Sequence, residues 1–132
     1  MSTIQYNVIK DMIIGKLIYR VSTITDKDSG QFNKIILYLN DGNSSDNKYN
    51  NYKLTFYLDC NKSISDLEKL VSNSIKSLKI SVFKKNRIWY FSYTLTTNNE
   101  LMLKVISRYL KLEYDIINVI STVGNPITLV TT

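Results

Sequence analysis

The stretch LKISVFKKNRIWYFSYTL, residues 78–95, decides the fold because it contains the clearest hairpin pattern in the chain. Two strands are predicted over residues 78–83 and 87–95, which are rich in β-branched and aromatic side chains, around a tight turn at 84–86. The surrounding segment 69–99 contains six basic residues and no acidic residue. Single-stranded nucleic acids need cations for their phosphates and flat rings for their bases, so the hairpin is a candidate for such contact. The pattern also fits aromatic residues that fill a core beside a solvated lysine turn.

The composition is that of one globular domain with excess positive charge. The chain has 132 residues, 44% hydrophobic and 21% charged, and a net charge of +6. We therefore expect a single domain, residues 1–132, and an anionic partner. The single Cys60 has no partner for an intramolecular disulfide, and no N-terminal run resembles a signal peptide, so an intracellular, reducing compartment is expected. No run of ~20 apolar residues predicts a membrane span.

Strands and helices are also predicted outside the hairpin. Three strands are expected before it, over Met12–Ile24, Asn33–Asn40 and Tyr52–Asp59. A capping box at Ser65 predicts an inter-strand helix that continues to Leu78. A long C-terminal helix is expected over residues 99–121.

The predicted order of elements is strand, strand, strand, helix, strand, strand, which is the order of the OB-fold. The predicted fold class is therefore α+β and mainly β. It consists of a five-stranded OB-fold barrel over about residues 12–95, with an inter-strand helix and a long C-terminal helix. A generic α+β domain can show the same order.

Two groups of motifs carry a resemblance to a known family. IIGKL at 13–17 precedes IILYLNDG at 35–42, and the hairpin at 80–93 leads through NEL at 99–101 into VISRYL at 105–110. In this order they resemble the OB-fold domain of the middle subunit of replication protein A and its counterpart in the telomeric CST complex. Asn43 and Ser44 depart from the family, in which Thr-Gly often follows Asp-Gly.

The resemblance implies a nuclear subunit of a single-stranded-DNA-binding complex that acts in replication or at telomeres. Its last helix would hold it to other OB-fold subunits. Because only a few cations are available, we expect the barrel alone to bind single-stranded DNA weakly and in a salt-dependent manner. The apolar band of the predicted helix agrees independently, because it is too wide for one barrel to cover. The residues expected at this partner interface are Met102, Ile106, Leu110, Ile117 and Ile120. Alternatively, the helix closes the bottom of its own barrel.

Strand alternation selects the candidate nucleic-acid residues. If Leu54, Phe56 and Leu58 face the core, their neighbours face outward, and the same holds for the strand before. The resulting candidates are Lys34, Tyr38, Lys53 and Tyr57 on the barrel and Lys84, Lys85, Arg87 and Tyr90 on the hairpin. Tyr90 is expected to be the most exposed hairpin aromatic, and either DNA or RNA fits these residues.

Several kinds of chemistry have no residues to support them in this sequence. The chain has no histidine, which excludes Ser-His-Asp and Cys-His catalysis, and Cys60 has no partners for a zinc site. We therefore expect no enzymatic activity, cofactor, metal, small-molecule substrate or membrane partner. The alternative function is a structural protein–protein interaction module of viral or mobile-element type that binds no nucleic acid.

Overall fold

The computed structural model describes residues 3–25, 32–41, 50–58, 67–108, 110–120 and 128–131. These residues form one α-helix, one short 3₁₀ helix and eight strands. In chain order the elements are α1 (Thr3–Ile13), β1 (Leu17–Thr25), β2 (Phe32–Asn40), β3 (Asn50–Tyr57), the 3₁₀ helix (Leu67–Leu70), β4 (Ile75–Lys85), β5 (Ile88–Thr97), β6 (Met102–Ser107), β7 (Leu112–Ile120) and β8 (Thr128–Thr131).

The strands form two antiparallel sheets. The large sheet has the order β1-β2-β3-β7-β8, and the small sheet is the meander β4-β5-β6. The inner faces of the two sheets share one hydrophobic core, in which Leu37 and Phe56 of the large sheet join Tyr93 and Val105 of the small one. The rings of Phe56 and Tyr93 meet edge to face, with centroids 5.9 Å apart. The outer faces of the two sheets therefore point in opposite directions.

The start of β1 joins the edges of the two sheets. The Gly15 amide donates to the Ile75 carbonyl at 2.8 Å, and the Ile75 amide donates back to Lys16 at 2.9 Å. Gly15 has φ +84°, a conformation that ends α1 at a low steric cost because glycine lacks a Cβ. The expected strand Met12–Ile24 is therefore wrong over its first five residues, because Met12 and Ile13 end α1 and β1 begins only at Leu17.

The predicted OB-fold barrel with two helices is also wrong. Where an inter-strand helix was expected, the chain forms a single 3₁₀ turn, Leu67–Leu70, and Ser72 then adopts a φ of 73°. The Ser72 amide donates to the carbonyl of Ile18 at 2.7 Å, so a hydrogen bond to β1 holds the turn at Ser72 that precedes β4. Leu70 and Leu78 are buried as the helical spacing predicted, but turn and strand geometry bury them.

No long C-terminal helix is present among residues 99–108 and 110–120, which contain β6 and β7 instead. Leu103, Val105 and Ser107 are buried, while the alternating positions Met102 and Lys104 are exposed, which is the period of a strand. When most residues of a segment are apolar, both a helix and a strand would place an apolar face against the core, so spacing alone does not distinguish them. β-Branched residues and pairing with β5 and β3 then favour strands.

Among the described residues, no helix combines the length and the apolar character that crossing a membrane requires. The Ser65 capping position, Cys60, and Gly124 with Pro126 after the expected last helix lie outside the described residues.

Candidate nucleic-acid interface

The β4–β5 hairpin extends beyond the third strand of its sheet. β6 pairs with β5 only from Thr96 to Phe91, so residues 83–90, here called the hairpin tip, lie past the last β6 row. Asn86 and Arg87 form the turn with φ of 52° and 66°, the positive values of a two-residue type I′ hairpin turn. The turn therefore lies one to two residues later than predicted, and Lys84 and Lys85 belong to β4.

The tip presents an aromatic group on each face. Trp89 is 57% exposed, and the Nζ of Lys84, its cross-strand partner, lies 5.5 Å from the centre of the indole ring. On the opposite face, Phe83 and Tyr90 stack with ring centroids 5.4 Å apart. Tyr90 and Trp89 do lie on opposite faces, but the expectation that Tyr90 is the more exposed ring is wrong. Stacking leaves Tyr90 half-buried, whereas the core ends before it reaches Trp89.

The small sheet is basic throughout. Its three strands contain Lys76, Lys79, Lys84, Lys85 and Lys104 and no acidic residue, and Arg87 lies in the turn between β4 and β5. Glu100 lies in the β5–β6 turn, at the end away from the tip, and accepts a hydrogen bond from Lys76 at 3.1 Å. Among the described residues, the cations of the tip make no ion pair. The potential around the tip is therefore positive and uncompensated.

The other predicted residues lie on the outer face of the large sheet. Lys34 pairs with Tyr57 and Tyr38 with Lys53 in the β2–β3 register, so the four residues form two adjacent patches. Arg20 of β1 lies over the Tyr38 ring, with 5.2 Å between its guanidinium carbon and the ring centre. The alternation that placed Leu54 and Phe56 in the core thus places these four side chains on the opposite face, as expected.

The ring of Tyr57 is already in contact with neighbouring charges. The Nζ atoms of Lys34 and Lys111 lie 5.1 Å and 4.1 Å from its centre. Its hydroxyl hydrogen-bonds Glu113, and burial first, then this bond and the charges of Glu113 and Asp115, raise the pKa of Tyr57 to about 12. A base that stacked on this ring would have to displace a lysine and approach two carboxylates, so the large sheet is the weaker candidate.

The eight predicted residues do not form one groove. Lys34, Tyr38, Lys53 and Tyr57 lie on the outer face of the large sheet, whereas Lys84, Lys85, Arg87 and Tyr90 lie at the hairpin tip of the small sheet. Sequence reasoning left out Trp89 and Phe83 of the tip. A turn at Asn86–Arg87 places both side chains in cross-strand pairs close to the turn. The sequence predicted this turn less clearly because Asn-Arg is a weaker signal for a type I′ turn than Asn-Gly.

The residues expected at a partner interface do not share a helical stripe. Met102, which is 64% exposed, and Ile106 lie on the outer face of the small sheet, whereas Ile117 lies on the large sheet and is 3% exposed. Leu110 lies between β6 and β7, and Ile120 ends β7. The predicted interface required these five residues to share one face of a helix. Because the segment forms β6 and β7 instead, the five residues do not share one face.

No family model matches the chain, and comparisons with curated proteins and with solved structures likewise give no match. The resemblance to replication protein A therefore stays a prediction from the sequence. Within the parts of the chain that the structure describes, no three acidic or cysteine side chains gather to form a metal site.

Proposed function

We propose that the protein binds single-stranded nucleic acid through the hairpin tip and acts as a non-enzymatic binding protein. The observation that carries the proposal is Trp89, 57% exposed beside Lys84, at the end of a sheet that contains no acidic residue. An exposed indole is a surface on which a base can stack, and stacking of one base contributes about 1–3 kcal/mol.

Single strands fit the tip better than duplexes do. Trp89 on one face and the Phe83–Tyr90 stack on the other can bind only rings that are free to leave a base stack. Lys85 and Arg87 are exposed at the turn and can neutralise phosphates that flank a stacked base. A duplex hides the faces of its bases, so it would contact the cations alone.

Fluorescence anisotropy with a labelled single-stranded oligonucleotide tests the proposal. Trp89→Ala is expected to raise Kd about 5- to 150-fold through lost stacking, with little change in stability because the ring is exposed. Tyr38→Ala is the matched control, since Tyr38 also lies beneath a cation but on the opposite side of the protein. It should bind like the wild type.

Three outcomes would contradict the proposal. Wild-type protein that binds no oligonucleotide even at low salt would favour an interaction module that binds only protein. A loss of affinity in Tyr38→Ala but not in Trp89→Ala would assign binding to the large sheet. Stronger binding to anionic lipid vesicles than to oligonucleotide would identify the exposed indole as a membrane contact.

A further inference from the structure

The outer face of the small sheet carries the Phe83–Tyr90 stack, with Trp89 on the opposite face, and continues that part of the proposed site away from the hairpin tip. Lys79, Thr94 and Lys104 are cross-strand partners in one row, so the three side chains point to the same side of the sheet. The two lysines are exposed, and among the described residues neither one is in an ion pair. Since neighbouring strands lie about 4.8 Å apart, the two lysine backbones are separated by roughly 10 Å.

The same face carries the stacked rings and the last lysine of β4. Towards the tip, the row of Lys79 is followed by the pairs Ser81 with Ser92, Phe83 with Tyr90 and Lys85 with Ile88. Six residues separate Lys79 from Lys85, which places them roughly 20 Å apart along an extended strand. Cations thus lie at both ends of this face, and between them lie the exposed hydroxyl of Ser81 and the stacked rings, whereas Ser92 is buried.

We propose that Lys79 and Lys104 bind phosphates of the same nucleic-acid strand whose base stacks at the hairpin tip. This inference rests on the proposed function and adds the path that the bound strand follows. A linear series of cation, hydroxyl, ring and cation suits a flexible polyanion that lies along the sheet, because each group meets successive phosphates or bases. A length of roughly 20 Å corresponds to the short end of the 4–16 nucleotides that such sites cover.

The far end of the path is bounded by Glu100. Its carboxylate, in the β5–β6 turn, accepts a hydrogen bond from Lys76 of β4, so this pair of charges is neutral overall. Among the described residues of the small sheet, a bound phosphate would therefore meet no uncompensated cation beyond the row of Lys79. The path therefore runs between that row and the hairpin tip.

Salt dependence of binding tests the path. For single strands the logarithm of the binding constant falls with the logarithm of salt concentration by about 0.7 per phosphate contact. The double variant Lys79→Thr/Lys104→Thr should therefore reduce the slope by about 1.4 and weaken binding roughly tenfold near physiological salt. Threonine suits exposed strand positions, and circular dichroism with thermal unfolding checks that the fold persists.

The matched control is Lys34→Thr/Lys53→Thr, which removes the same charge from the outer face of the large sheet. Its slope should equal that of the wild type. Equal losses in both double variants would overturn the path, because the effect would then come from net charge rather than from contact. An unchanged slope in Lys79→Thr/Lys104→Thr would also overturn it.

Trp89→Ala separates failure of the path from failure of the proposed function. If Trp89→Ala weakens binding while Lys79→Thr/Lys104→Thr leaves the slope intact, the path is wrong and the hairpin-tip site stands. If the wild type binds no oligonucleotide, both are wrong.

Discussion

Tyr93 connects the two sheets, and removing its hydroxyl alone should measure that connection. Its ring is fully buried and packs edge to face on Phe56. Its hydroxyl accepts a hydrogen bond of 3.1 Å from the amide of Lys111, the residue before β7. Tyr93→Phe keeps the ring but leaves that amide without its acceptor in a partly buried place. We expect a loss of about 1–2 kcal/mol in the free energy of unfolding.

Thermal unfolding and amide hydrogen exchange are the assays. For 132 residues, 1 kcal/mol corresponds to roughly 4 °C in Tm, so the variant should melt roughly 4–8 °C lower. The amide of Lys111 should also exchange faster than in the wild type. Tyr90→Phe is the control, because that hydroxyl has no hydrogen-bond partner among the described residues, and its effect should stay within about 0.5 kcal/mol. An unchanged Tm together with unchanged Lys111 exchange would refute the face-to-face packing of the sheets at this point.

Two further predictions concern single side chains. Because the pKa of Tyr57 is raised above its ordinary value of 10 to about 12 in the folded protein, its stabilising effect is complete below pH 10 and is lost as the pH rises through 12. The free energy of unfolding of Tyr57→Phe, measured by urea unfolding, should therefore fall less between pH 10 and 12 than that of the wild type. An equal fall in both proteins would contradict this. Asn73 is buried, donates to two carbonyls of the preceding turn and accepts from Asn99. Asn73→Ala should lower the free energy of unfolding by roughly 2 kcal/mol, measured by urea unfolding. Asn98→Ala, at an exposed position, should leave it almost unchanged.

Local patterns predicted the middle of the chain well. β2 and β3 lie within two residues of their predicted ends. β4 extends its predicted strand by two to three residues at each end, and β5 begins one residue later and ends two residues later than predicted. In these segments one side of each strand is consistently apolar, so alternation alone assigns both the strand and its buried face. The positions of Leu54 and Tyr57 on opposite faces follow from that alternation.

The segments on either side of the hairpin could not be predicted from local sequence patterns alone. Residues 67–78 have apolar side chains at helical spacing, but hydrogen bonds to Lys16 and Ile18, which are distant in sequence, fix Ser72 in a turn and Ile75 at the start of β4. Residues 101–120 are apolar on so many positions that a helix and two strands both bury enough surface. Pairing with β5 and β3 decides between them, and pairing is a tertiary interaction.

The predicted site residues lie on two different sheets, and the sequence did not show this for the same reason. Alternation predicts which side of a strand faces outward, but it does not predict which strands share a sheet. The tyrosines of β2 and β3 and the lysines of the hairpin therefore appeared to belong to one surface. The sheet order places them on opposite sides of the core.

The distribution of charge supports the proposed binding surface over the simpler explanation that the chain is rich in lysine. A general excess of lysine would place cations on both sheets alike. Yet in β7 of the large sheet Asp115 pairs in register with Lys53, and Glu113 hydrogen-bonds Tyr57 beside Lys34. The strands of the small sheet contain no carboxylate, and among the described residues only Lys76, at the end away from the tip, pairs with an acidic residue, Glu100 of the β5–β6 turn. Solubility alone does not require that separation, whereas a polyanion that lies along one sheet does, because each carboxylate on its path would repel a phosphate.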